Sequence, residues 1–202
     1  MSANFRALRS LRDENKRLKN EIYYFQASLN HLHQVIHALN TLQYQIDAIT
    51  PETDVVALIH QVLSAALEAV DSENGSLLLL DEKKEELVFV NVIGLSRDAL
   101  MGYRMPADEG LAGWIIKEKS PVLVHDARKD ERWSSNVDEA VGFHTVSMIG
   151  VPLLDGGRSF GVIEVLNPFS RGSFREGDLD VMILVARLAS LCLVRAEEVS
   201  EK

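Results

Sequence analysis

His33 and His37 stand four residues apart, a spacing that puts two imidazoles on one face of a helix, where they could share a metal ion. No acid or thiol joins them in the sequence, and with His31 they read more simply as surface histidines. His125 and Asp126 adjoin, and with Ser147 or Ser120 they have the composition of a catalytic triad. Neighbours in a strand face opposite ways and no nucleophile elbow is present, so catalysis is not expected from them. Asp138, Glu164 and His144 carry metal-ligand chemistry, yet solvated or hydrogen-bonded polar groups account for them without an ion. The single cysteine, Cys192, excludes an internal disulfide, a CxxC pair and a multi-thiolate metal site. Its apolar setting suits a buried thiol acting as a small hydrophobe. The chain is therefore expected not to be an enzyme, and no metal or cofactor is identified.

The elements that would position these residues come from a chain of 202 residues, 47% hydrophobic and 25% charged, enough for one domain and an appendage. Twenty-one Lys and Arg against 30 Asp and Glu give a net charge of −9, which opposes nucleic acid as the main partner. The basic start reads as a solvated helix face. No run reaches the roughly 18 apolar residues of a membrane span, and the start lacks a signal peptide's apolar core, so a cytoplasmic location is expected. Residues 1–50 carry six bases and four acids, a sum of +2 that leaves −11 for the remainder. Two segments of different character join near Pro51.

In the first, Leu8, Leu11, Leu18, Ile22, Phe25, Leu29, Leu32, Ile36, Leu39 and Ile46 recur at steps of three and four, the 3.5-residue period of a coiled coil. With Leu8 at position a, Asn15 and Gln43 are the polar a positions. A buried Asn pairs best with its own copy, which predicts a parallel homodimer over residues 1–48. Glu14 at g and Lys19 at the following e agree with that register.

The second segment predicts a helix opening at Thr50-Pro51-Glu52 and carrying Val55 to Val70. A hairpin follows, Ser76–Leu80 and Leu87–Ile93. Next come a short helix capped by Asp108 with Glu109 in its first turn, a strand Val122–Val124, and a polar stretch from His125 to His144 over a concave face. Trp133 and Phe143 suit either a pocket wall or plain core. A second hairpin, Val146–Leu154 and Phe160–Leu166, turns at Asp155-Gly156-Gly157, and a helix from about Glu176 to Glu197 ends the order. That helix is apolar on most sides, so it needs two covers. The sheet supplies one, and the same helix of a second copy, near Leu184, Leu188 and Leu191, could supply the other. The order describes an α+β domain with an antiparallel sheet and helices on its back.

Residues 52–197 resemble a GAF domain, through Asn74-Gly75-Ser76-Leu77-Leu78-Leu79-Leu80-Asp81, Pro106-Ala107-Asp108-Glu109-Gly110-Leu111-Ala112-Gly113-Trp114, Val151-Pro152-Leu153 and Gly161-Val162-Ile163-Glu164-Val165-Leu166-Asn167. The resemblance implies a sensory module with a pocket lined by Ser76, Val92, Ile93, Leu111, Ala112, Trp133, Ser134, Asp138, Val141, Thr145 and Glu164. Members of the cyclic-nucleotide class carry an Asn-Lys pair, a downstream Phe, then Asp-Glu. This chain keeps Asn167, Phe174 and Asp178 but has Pro168 and Leu179 in the Lys and Glu places, and Val92 and Ile93 where an aromatic residue and an Asp would meet the purine. Cyclic nucleotides are therefore expected to bind weakly or not at all. Bilin attachment and methionine sulfoxide reduction, the thiol-dependent chemistries among GAF relatives, lack their cysteines. The expected function is a dimeric sensory or regulatory protein that binds an unknown small molecule and signals through helix rearrangement. The alternative is a ligand-free scaffold that recruits a partner protein. No output motif follows residue 197, so the output is expected to lie in a partner protein.

Overall fold

The structure is a computed structural model that describes residues 2–169 and 172–200, with side chains for 8–169 and 172–199. The chain divides into two compact units, residues 1–34 and 35–202. One helix, α1 (Ser2–Ala48), contributes to both.

In the first unit Leu8, Leu11, Leu18, Ile22, Phe25, Leu29 and Leu32 are 45% to 70% exposed. An ion pair between Arg17 Nε and Glu21 Oε1, at 3.5 Å, stabilises the helix between successive turns.

The second unit begins with the last turns of α1. Here Val35, Ala38, Leu42 and Ile49, just past the helix end, are buried. In the heptad frame Val35, Leu42 and Ile49 fall at g and Ala38 at c, beside the a/d seam, and the d residues Leu39 and Ile46 are half-buried against the same core, so only the earlier part of the seam is left uncovered. The unit boundary thus lies inside α1, earlier than the Pro51 break. At that break Thr50 is not a helix cap. Thr50 and Thr53 close a turn through Thr53 N to Thr50 O at 3.0 Å and Thr50 N to Thr53 Oγ1 at 2.8 Å. Helix α2 (Val55–Ala69) starts later, where Asp54 Oδ1 accepts from Val56 N at 2.9 Å and Ala57 N at 3.1 Å. Asp54 thereby satisfies two of the helix's orphan N–H groups, while the Thr50 side chain stands outside the helix.

Six strands form one antiparallel sheet: β1 (Ser72–Asp81), β2 (Glu86–Ile93), β3 (Arg104–Pro106), β4 (Val122–Val124), β5 (Met148–Asp155) and β6 (Arg158–Pro168), in the order β3-β2-β1-β6-β5-β4. The turn between β5 and β6 uses Gly156 and Gly157, both at positive φ, the conformation a tight two-residue hairpin requires. Leu77 of β1, Ile163 and Val165 of β6, and Ile149, Val151 and Leu153 of β5 point to one face. There they meet α2, the end of α1, and the terminal helix α6 (Glu176–Ser200) in one continuous core. Cys192 lies in this layer. Its Sγ donates to Leu42 O at 3.6 Å, and burial pushes the thiol up to about 11, so it stays protonated. The end of α1 therefore covers part of the apolar surface of α6, while Leu184 and Leu191 remain 47% and 58% exposed.

The opposite face carries three helices that are short or loosely seated: α3 (Arg97–Leu100), α4 (Gly110–Glu118) and α5 (Asn136–Val141). A Cβ at Gly150 of β5 would collide with Ile115 Cδ1, so glycine lets α4 sit directly on the strand. Glu109 is the N-cap residue of α4 but makes no capping bond with its side chain, and neither it nor Asp108 plays the role the sequence suggested. No helix among the described residues is long and apolar enough to cross a membrane.

Candidate functional site

Between the sheet and α3, α4 and α5 lies a partly open cavity. Its floor is a row of residues paired across the strands: Val92 of β2 lies opposite Ser76 of β1, Ser76 opposite Glu164 of β6, and Glu164 opposite Gly150. Ile93 adjoins the row. Leu111 and Ala112, from the first turn of α4, form one wall, with Trp133 and Ser134 beside them, and Asp138, Val141 and Thr145 form the roof. All eleven residues named from the sequence line this one cavity.

Several lining residues were not foreseen. Phe89 reaches the floor because β2 bulges opposite Leu77 and Leu78: Leu77 pairs with Asn91 and Leu78 with Phe89, leaving Val90 between them. That extra residue puts Phe89 and Val92, three apart, on one face. Leu100 and Met105 arrive on α3 and β3, short elements with no periodic signal of their own. Gly94 and Gly102, both at positive φ, flank α3 and are the cue it offered. Phe143, like Trp133, proves to be a cavity wall.

Polar bonds hold the roof. Asp138 Oδ2 accepts from Thr145 N at 2.8 Å and Oδ1 from Thr145 Oγ1 at 2.9 Å, closing the loop after α5. Glu109 Oε1 accepts from Ser134 Oγ at 2.7 Å and also from Asn136 Nδ2, tying the start of α5 to the start of α4. Arg132 grips Asp130 through two bonds of 2.8 and 2.6 Å, holding that carboxyl below its usual range, and lies 4.4 Å over the Trp114 ring. No residue of α5 itself is fully buried.

On the floor, Ser76 Oγ donates to Glu164 Oε2 at 3.2 Å. The Glu164 side chain lies deep in the protein and meets solvent through the cavity. Burial pushes its carboxyl up to about 7 against the opposing effect of the Ser76 bond, with the Asp138 carboxylate adding to the rise.

The histidines and serines weighed for chemistry sit elsewhere. His37 Nδ1 lies 3.3 Å from Glu68 Oε1 of α2, an acid the sequence reading had not joined to it. His125 Nδ1 shares a hydrogen bond with Ser173 Oγ at 2.9 Å, Ser147 Oγ donates to Val124 O at 2.9 Å, and Asp126 pairs with Lys129 Nζ at 2.8 Å. The acid is engaged by the lysine, so no triad is assembled. Among the described residues no group of three potential ligands could hold a metal.

The GAF domain family model matches residues 52–194. The chain belongs to the GAF domain family. This is a sensory and regulatory module found in phosphodiesterases and other signalling proteins. The chain is 28% identical over 155 residues to a probable 3',5'-cyclic phosphodiesterase of Caenorhabditis elegans, an alignment over 70% of this chain and 20% of that protein's length. In fold it is similar to the GAF domain from a phosphoenolpyruvate-protein phosphotransferase of Coxiella burnetii, at TM-score 0.71 and 17% identity, covering 84% of this chain and 98% of the other. It is also similar to a free methionine-R-sulfoxide reductase of Neisseria meningitidis, solved with its substrate, at TM-score 0.65 and 20% identity, covering 81% and 90%.

The GAF positions kept at the end of β6 have structural work. Asn167, at φ 51°, accepts from Val146 N at 2.8 Å and Ser147 N at 3.2 Å through Oδ1 and donates to His144 O at 2.8 Å through Nδ2. It thereby anchors the loop that carries Thr145. Asp178 Oδ2 accepts from Arg175 N at 2.7 Å at the start of α6, and Phe174 is buried.

Proposed function

We propose that this GAF domain binds a small, partly apolar molecule in the cavity and passes that event to the helices on the other face of the sheet. The observation that carries the reading is the geometry of β6. Glu164 points into the cavity, while its neighbours Ile163 and Val165 pack into the core shared by α2, α6 and the end of α1. A displacement of this strand on binding is felt in both layers, because a close-packed core transmits strain. The exposed apolar seam of α1 favours a second copy as its cover, giving a parallel dimer whose helices read the change and present it to a partner protein.

A ligand shifts such an equilibrium only by its differential affinity for two arrangements, so binding and response need separate measurements. Native mass spectrometry of protein from its own host tests for a retained small molecule. That molecule should raise the melting temperature of the wild type but not of Ala112→Leu, which fills the cavity. It should also change the distance between spin labels placed at Glu198 in the two copies of α6. Native Cys192, buried and protonated, does not compete for the label. A shift in melting temperature without a distance change leaves a binder and no switch. Absence of any retained or stabilising molecule gives the scaffold reading the advantage.

A further inference from the structure

The charge inside the cavity is one-sided. Its lining includes two carboxylates, Asp138 and Glu164, and no lysine, arginine or histidine. Thr145 occupies both oxygens of Asp138. Glu164 differs: Oε2 receives only the 3.2 Å bond from Ser76, and among the described residues Oε1 has no hydrogen-bond or ion-pair partner. The nearby charged groups are committed elsewhere. Arg128 Nη2 and His144 Nδ1 share a hydrogen bond at 2.9 Å beside a separate opening on the other side of Asp138, and Glu109 holds Ser134 and Asn136. Among the described residues no cation compensates Glu164.

We propose that the cavity selects a small amphipathic molecule bearing a protonated amine, with the amine on Glu164 and the hydrocarbon body against Val92, Leu111 and Val141. This rests on the ligand-binding reading above and names the class of molecule. An ionised carboxylate enclosed by apolar walls is costly unless paired, and an ammonium supplies both charge and hydrogen bonds to the free Oε1. A neutral hydroxyl supplies a weaker bond, and an anion meets two carboxylates with no compensating cation.

Calorimetry on the full chain at pH 8 with 2-phenylethylamine, 2-phenylethanol and phenylacetate separates these classes. The amine should bind about tenfold tighter than the alcohol, the difference between a charge-assisted and a neutral hydrogen bond, with phenylacetate weakest. Between pH 6 and pH 8 amine affinity should rise as Glu164 loses its proton while the amine keeps its own. Glu164→Gln should abolish both the preference and the pH dependence yet still bind the alcohol. The wild-type series stands as a test even if that variant folds poorly. Alcohol binding as tight as amine binding, or an amine preference that survives in Glu164→Gln, overturns the class and leaves a ligand cavity standing. If none of the three binds and host-purified protein carries no molecule, the ligand-binding reading falls and takes this inference with it.

Discussion

Ile163 and Val165 project from β6 into a core of helices in which Val62, Leu63, Val185 and Ala189 are wholly shielded from solvent, while Glu164 between them projects into a cavity. One strand thus serves two kinds of surroundings. The helix face is continuous apolar packing, closed by α2, α6 and the last turns of α1. The cavity face divides its apolar residues between two smaller clusters, crosses them with the polar pair Ser76 and Glu164, and is roofed by a helix without a fully buried residue. Local stability follows buried apolar contact, so the rigid half of the domain and the half able to yield are separated by the thickness of a sheet.

Truncation to alanine on the two faces should therefore have effects that differ by more than the one extra carbon a leucine loses. Leu63→Ala in α2 should lower unfolding free energy by about 2–5 kcal/mol in urea titrations, since it leaves a cavity in closed packing. Val137→Ala in α5 should cost below about 1 kcal/mol, and a loss as large as that of Leu63→Ala would erase the contrast.

The next effect depends on pH. Glu164 is raised from 4.5 to about 7 in the folded protein, so the native state holds this proton more tightly than the unfolded chain. Its contribution to stability is present below the unfolded value and is lost as pH rises through about 7, with no further change above. The loss should be on the order of 1–3 kcal/mol between acid and neutral pH, and Glu164→Gln should remove that slope. A variant whose stability profile matches the wild type from pH 4 to 8 would contradict the buried setting of this carboxyl.

The smallest global change should come from Asp138→Asn, which weakens the acceptor for Thr145. Unfolding free energy should move by less than about 1 kcal/mol, while amide exchange across residues 136–145 accelerates. Unchanged exchange there would place the restraint on the roof elsewhere, with Glu109 the first candidate.

Five of the six strands and the long helices were legible from their apolar runs, and the Gly-Gly hairpin from its turn chemistry, while β3 carried no such run. The cavity lining was legible only through family resemblance, because cavity walls mix strand, helix and loop residues with no shared period. Of the two neighbouring acids, the sequence made Asp108 the cap of α4 and put Glu109 in its first turn, but the helix starts one residue later with Glu109 at the cap position, and neither side chain makes a capping bond. The bulge at Val90 hid Phe89, since strict alternation from Val92 assigns Phe89 to the helix face. In α1 the strong a/d pattern masked a second stripe, Val35, Ala38, Leu42 and Ile49, whose meaning depends on a surface contributed by α2 and α6. No local rule carries that information.

Gly150 has one more consequence. Because the Ile115 side chain rests where a side chain at position 150 would otherwise stand, α4 sits close against the sheet. The cavity accordingly resembles a doorway with one fixed jamb and one leaf. The jamb is α4, and the leaf is α5, fastened by two latches, Asp138 to Thr145 and Glu109 to Ser134 with Asn136. On the proposed reading, opening these latches sets a barrier that a molecule crosses both on entering and on leaving, while the interior contacts slow its departure alone.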